Sequence, residues 1–226
     1  MYDITPLQMC QIFFSSPVVA GCFPAYNNGQ IASGGGINMA YELKSARFLA
    51  KDALQQAVCR GDQVADATMG NGHDTLFLAE LVGPEGHVYA FDIQESALES
   101  TRTLLEAHGM QARVSLFCRS HAELADAAPG NLSAIVFNLG WLPGGDHTVT
   151  TRCESTRTAV LAALDLLRTG GILTLCAYPG HPEGAREREM LTALLSDLSN
   201  RQYNVLHQRF LNAGEGAPEC FVVQKL

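Results

Sequence analysis

Asp66-Ala67-Thr68-Met69-Gly70-Asn71-Gly72-His73-Asp74-Thr75 is the stretch whose reading decides the fold. Residues 61–65 before it, Gly-Asp-Gln-Val-Ala, read as a short buried strand, and Leu76-Phe77-Leu78-Ala79-Glu80-Leu81 after it reads as a helix. Asp92 closes a second apolar run, His87-Val88-Tyr89-Ala90-Phe91. Strand, glycine turn, helix, strand and acid in that order form a nucleotide-binding βαβ unit. Gly70 and Gly72 let the backbone turn sharply and approach a ligand with no Cβ in the way. The helix start offers unpaired N–H groups to that ligand. Asp92 is placed to accept hydrogen bonds from two ribose hydroxyls.

The turn also discriminates between nucleotides. A dinucleotide site carries three glycines, G-x-G-x-x-G, whereas the third position here is Thr75. Asp66 precedes the first glycine, where it would repel a pyrophosphate. A carboxylate there suits a cationic ligand without phosphates, and S-adenosylmethionine has that chemistry. The bland alternative is a glycine turn in an ordinary α/β protein with two surface acids.

Working outward, Leu43, Ala46, Ala50, Ala53 and Ala57 recur at helical spacing ahead of the first strand. Ala97, Leu98, Thr101, Leu104 and Leu105 mark a helix ending near Gly109; 113–117 and 132–137 read as strands. Thr156 to Leu167 reads as a helix ending at Gly170-Gly171, and 172–176 as a fifth strand. Met190 to Leu198 gives a further helix, and 203–211 and 220–224 two closing strands. Alternating strands and helices predict an α/β, Rossmann-like sheet, mostly parallel, seven-stranded and covered on both faces. Two final strands with no helix between them predict an antiparallel edge, as in class I methyltransferases. Residues 1–38, ending in Ser33-Gly34-Gly35-Gly36, show no period and are expected to be an appended arm, leaving 39–226 as the domain.

Composition narrows the function classes. The 226 residues are 47% hydrophobic, enough for one substantial core. A net charge of −8 excludes broad, non-specific coating of nucleic acid but not a local contact through a few arginines. Seven cysteines with no C-x-x-C pair fit neither a disulfide framework nor a zinc site, so no metal is expected, and a reducing cytoplasm is the expected compartment. No stretch reaches the roughly 20 apolar residues of a membrane helix.

In such sheets ligands sit beyond the carboxyl ends of the strands. Candidate cofactor-binding residues are therefore Asp66, Thr68, Gly70, Asn71, Gly72, His73, Asp74, Asp92, Gln94, Ser120, His121 and Asn138. Beyond the fourth and fifth strands lie "FNLGWLPGGDH" (137–147) and "YPGHPEG" (178–184). Together with "DATMGNGHDT" (66–75) and "SHAEL" (120–124), these blocks carry a resemblance. From about Tyr41 onward the chain resembles the methyltransferase family long labelled "putative rRNA methylase". Members of that family have been identified as tRNA 5-aminomethyl-2-thiouridine methyltransferases. The resemblance implies methyl transfer from S-adenosylmethionine to the primary amine of a modified wobble uridine, with the tRNA anticodon region as partner. A small-molecule amine or hydroxyl methyltransferase, or another nucleotide-binding Rossmann protein, is the alternative.

Set against that chemistry, Asp146, His147, Asn138 and His181 are the catalytic candidates. Asp146 is expected to anchor the ammonium, with one histidine removing its proton; its other reading is a cap or turn holder. Asn138 would orient the amine or the cofactor's methionine end; its bland alternative is a turn residue that satisfies the backbone. Trp141, the only tryptophan, would stack on the base. Arg152, Arg157, Arg186 and Arg188 would form a basic rim for RNA. A homodimer is a further expectation.

Overall fold

The computed structural model describes residues 45–226. The arm expected over residues 1–38, and the start of the domain at 39–44, lie outside the described residues. The element order is α1 (Ala46–Ala57), β1 (Gln63–Asp66), α2 (His73–Val82), β2 (His87–Asp92), α3 (Glu95–Ala107), β3 (Val114–Cys118), α4 (Leu124–Ala127), β4 (Leu132–Asn138), α5 (Cys153–Leu166), β5 (Leu167–Ala177), α6 (Pro182–Ser196), β6 (Tyr203–Gln208) and β7 (Glu219–Lys225).

The seven strands form one sheet of order β3-β2-β1-β4-β5-β7-β6. The first five pair in parallel, while β7 runs antiparallel between β5 and β6. Alternating strand residues feed two layers. Ala134 and Val136 of β4 join Val64, Leu78 and Leu54 beneath α1 and α2. Ile135 and Phe137 join Phe91, Val160 and Leu191 beneath α4, α5 and α6. This two-sided burial explains why β4 reads as a continuous apolar run. The direction of winding reverses between β1 and β4, which opens a crevice at their carboxyl ends.

The boundary between α5 and β5 differs from the sequence expectation, while Asp66 ends β1 as expected. The expected helix end at Gly170-Gly171 lies inside β5: α5 stops at Leu166 and the chain passes directly into the strand. Leu132 pairs with Leu167 while Ala134 pairs with Ile172, so residues 168–171 bulge out of the ladder. Gly170 takes φ +79°, and a Cβ on Gly171 would lie 2.9 Å from the Arg168 carbonyl, so glycines mark a bulge here rather than a helix stop. The four-residue α4 is too short to show a period.

Candidate active site

A cavity of about 690 Å³ opens at the carboxyl edge. It brings together the sequence-predicted Thr68, Gly70, Asn71, His73, Asp74, Asp92, Gln94, Ser120, His121, Asn138, Trp141, Arg152 and His181. Asp66, Gly72, Asp146, His147, Arg157, Arg186 and Arg188 do not line it.

The glycine turn is built as its residues require. Gly70 and Gly72 adopt φ +49° and +83°, and a Cβ on Gly72 would lie 2.9 Å from Thr101 Cα. Gly72 therefore works by packing the turn against α3. Asp92 Oδ2 accepts from Gly70 N (3.1 Å) and Oδ1 from Gln94 N (3.0 Å), tying the ends of β1 and β2 together. Each oxygen retains acceptor capacity at the cavity wall. Burial raises the Asp92 pKa, opposed by its backbone hydrogen bonds.

Asp66 departs from its expected role. It is buried away from the cavity, and both oxygens are taken: Oδ2 by the Thr75 hydroxyl (2.7 Å), Oδ1 by Thr68 N (3.1 Å). The geometry makes it a brace beneath the turn. Burial, then the neighbouring Asp74, push its pKa up to about 7. A raised carboxyl pKa favours the fold at low pH; that contribution is lost as pH rises from the unfolded value near 4 through about 7. Asp66→Asn should thus melt above the wild type at pH 8, with the gap closing toward pH 5. Melting curves across that range check the sign.

Asp74 collects cations that the sequence reading missed. Arg47 (3.4 Å) and Lys51 (3.0 Å), one helical turn apart on α1, both reach its Oδ1, and Oδ2 accepts from Asn138 Nδ2. With the amide donor committed to Asp74, Asn138 Oδ1 is buried and has no protein partner. The Asn138 backbone N donates to Thr68 Oγ1 (2.7 Å), locking β4 to the turn after β1. Arg47 and Tyr178 also line the cavity. The helical spacing of Arg47 and Lys51 was visible, but only the packing of α1 over β5 and β7 shows where they point.

His121 is buried, and desolvation lowers its pKa to about 4, leaving it neutral. Ser155 Oγ donates to the Arg152 carbonyl, so it accepts from His121 Nε2 (3.2 Å). At the head of α6, His181 Nδ1 accepts from Gly184 N (3.2 Å), while its Nε2 is buried with no partner. His181 is an N-cap, and its Nδ1 is already engaged.

Trp141 stands in the loop after β4, bridged to Thr150 across the loop's neck. Its ring stacks on His147 (centroids 4.4 Å apart) and is tilted against His181 (4.5 Å). It remains 37% exposed, so part of its surface faces outward. Asp146 is exposed and holds its own turn: Oδ1 accepts from Thr148 N (2.8 Å) and its carbonyl from Val149 N (3.0 Å). These hydrogen bonds lower its pKa. The turn-holding alternative is what the geometry displays. The arginine rim is likewise smaller than expected. Arg186 pairs with Glu183 (3.5 Å), and Arg188 turns toward Glu219 (4.0 Å) at the sheet edge. Arg157 is exposed on α5 away from the cavity, and Arg152 alone of the four lines it.

A sheet of this order, with antiparallel β7 and an acid-tipped β2 beside a glycine turn, is the class I methyltransferase fold. Residues 88–224 match the family described as "Putative rRNA methylase", and the chain belongs to that family. It is 40% identical over 165 residues to the chloroplastic tRNA (mnm(5)s(2)U34)-methyltransferase of Arabidopsis thaliana, covering 69% of this chain. The match spans 60% of that relative's length. Among solved structures, a "putative rRNA-methylase" from Clostridium thermocellum is 36% identical with a TM-score of 0.80, covering 82% of this chain and all of that one. A "putative methyltransferase" from Streptococcus mutans in complex with SAH is 32% identical with a TM-score of 0.75, over the same shares.

Proposed function

We propose that this methyltransferase N-methylates the aminomethyl group of a modified wobble uridine in tRNA, with S-adenosylmethionine as donor. The observation that carries the reading is the joining of two half-sites in one cavity. Asp92 and the Gly70 turn line it together with Asn138 and the Trp141 loop, and Asn71 Nδ2 of the turn donates to the Pro143 carbonyl of that loop (3.2 Å). The residues fit the cofactor. Asp92 keeps acceptor capacity for a ribose diol, and the volume lies within the usual range for such ligands, about 300–1,000 Å³. A Cβ on Gly70 would touch Leu142 at 3.4 Å, so glycine keeps the cradle open.

Bound S-adenosylmethionine supplies an electrophilic methyl on a sulfonium. This chain's residues must present a neutral amine to it. An alkylamine with a pKa near that of lysine, about 10.4, is mostly protonated at neutral pH. A substrate amine that reaches the buried, unpartnered Asn138 Oδ1 would donate an N–H to it and have its lone pair oriented. Asp146 stands off the cavity and His181 Nδ1 accepts from Gly184 N, so neither is placed to take the proton. Turnover should then rise with pH through and beyond neutrality, following the substrate amine rather than a histidine. The partly exposed Trp141 ring, braced by His147, offers an edge or face to an unpaired base, a contact worth about 1–3 kcal/mol.

RNA contact rests on Arg152 more than on the other three arginines. Arg152→Glu should weaken tRNA binding severalfold and leave SAH binding unchanged, whereas Arg188→Ala should spare both. The wild-type affinity should fall with added salt on a shallow slope, as for a few phosphate contacts. Filter binding across a salt series checks both; a steep slope would require a larger basic face. The reading itself is tested by incubating the protein with S-adenosylmethionine and tRNA bearing the aminomethyl uridine. The expected product is the methylaminomethyl nucleoside; methylation of small amines alone would favour the alternative.

A further inference from the structure

Glu187, on the second turn of α6, is 0% exposed and lines no part of the cavity. Its carboxylate accepts from two hydroxyls: Thr156 Oγ1 at Oε1 (2.6 Å) and Thr151 Oγ1 at Oε2 (2.8 Å). The Thr151 hydroxyl also accepts from Gly140 N (2.8 Å), and Thr151 N donates to the Gly140 carbonyl (2.9 Å). A relay therefore runs from Gly140 N–H through the Thr151 hydroxyl to Glu187. It closes the neck of the loop directly beside the Trp141–Thr150 bridge. One turn earlier on the same face of α6, Glu183 Oε1 accepts from Cys153 N (3.0 Å), fixing the point where the loop enters α5. The head of the same helix supplies His181 against Trp141.

Stability alone gives no reason to bury a carboxylate here. Apolar residues of similar volume at 151, 156 and 187 would fill the space without desolvating a charge. Hydroxyls and a carboxylate instead impose direction and register on whatever they hold. What they hold is the segment carrying Trp141, Thr150 and Arg152 at the cavity mouth. We infer that Glu187 is the positioning residue of the substrate loop, setting through Thr151 where Trp141 stands. That this loop meets the RNA base rests on the function proposed above.

Two variants separate this role from ordinary core support. Thr151→Val and Thr156→Val each remove one hydroxyl from Glu187, but only the first touches the loop. Trp141 is the only tryptophan, so its emission and its quenching by acrylamide report the loop directly, without substrate. Thr151→Val should make Trp141 more quenchable and lower kcat/KM for tRNA by about 10²-fold, the scale of a misplacement near 1 Å. SAH affinity should stay unchanged. Thr151→Ser, which keeps the hydroxyl, should restore both readouts. Thr156→Val should lower the melting temperature yet leave quenching and turnover near wild type. Glu187→Gln keeps the volume and one acceptor while its amide can still donate to a threonine hydroxyl, and should shift both readouts in the same direction as Thr151→Val but by less. Equal quenching in Thr151→Val and wild type would overturn the inference, as would failure of both Thr151→Val and Glu187→Gln to fold. Altered quenching with unaltered tRNA turnover would uphold the positioning role and contradict the proposed use of the loop instead.

Discussion

Asp92→Ala should weaken SAH binding by tens of fold or more while the protein stays folded. The residue is the acidic tip of β2, and its two oxygens already hold Gly70 N and Gln94 N. Its loss removes charge-assisted hydrogen bonds to the ribose, at about 1.5–3 kcal/mol for each bond to a charged group. It also releases the glycine turn that shapes the cavity, so the two effects act in the same direction. The fold should survive because the carboxylate lies at a strand end, beyond the apolar layers on both faces of the sheet. Isothermal calorimetry with SAH, beside a melting curve, checks this. Unchanged affinity in a folded variant would sink the assignment of the cavity's cofactor end.

Asn138→Ala should lower turnover by about 10²- to 10³-fold, the cost of removing one preorganised polar contact at a reacting centre. SAH affinity should change little, because Asp74 keeps Arg47 and Lys51 after the amide is gone. Raising the pH should not rescue the variant. In the proposed role Asn138 would orient the amine without deprotonating it, so mutant and wild type should show parallel pH profiles. Asp146→Asn gives the contrast: an exposed turn-holding residue should lose only a few fold. If Asp146→Asn instead fell by orders of magnitude with cofactor binding intact, the ammonium anchor would lie on the loop after all. Steady-state kinetics of the two variants, run in parallel against pH, decide between these sites.

The sequence carried the sheet well because burial leaves simple marks. A parallel sheet covered on both faces makes each central strand an apolar run, and β1, β2 and β4 were legible as such. The antiparallel ending was legible in two strands following each other without a helix. Gly170-Gly171 misled because glycine marks both helix ends and strand bulges, and only the pairing of Leu132 with Leu167 separates them. In the site, spacing located the Gly70 turn, Asp92 and Asn138, since these lie at strand ends that the fold must bring together. Asp66 shares that position but turns inward to Thr75, a direction that spacing does not encode.

Side chains that reach across elements were the part not legible. Arg47 and Lys51 meet Asp74 only because α1 packs over β5 and β7, which brings its first turns beside the start of α2. Glu187 meets Thr151 at 36 residues' separation, and its role depends on a loop whose path no periodicity describes. The direction of the four arginines was hidden for the complementary reason. Charges on one helix face look alike in sequence, yet Arg188 is drawn to Glu219 on a neighbouring strand while Arg152 faces the cavity.

The central claim is that one cavity joins a methyl donor to the aminomethyl group of a tRNA wobble uridine. Its most direct measurement is nucleoside mass spectrometry of tRNA treated with the protein and isotopically labelled S-adenosylmethionine, using tRNA that carries or lacks the aminomethyl group. The account predicts label on the aminomethyl nitrogen of the modified nucleoside, none on the unmodified tRNA, and loss of the signal in Asn138→Ala. Label on a ring atom of either RNA, or transfer only to free small amines, would contradict it.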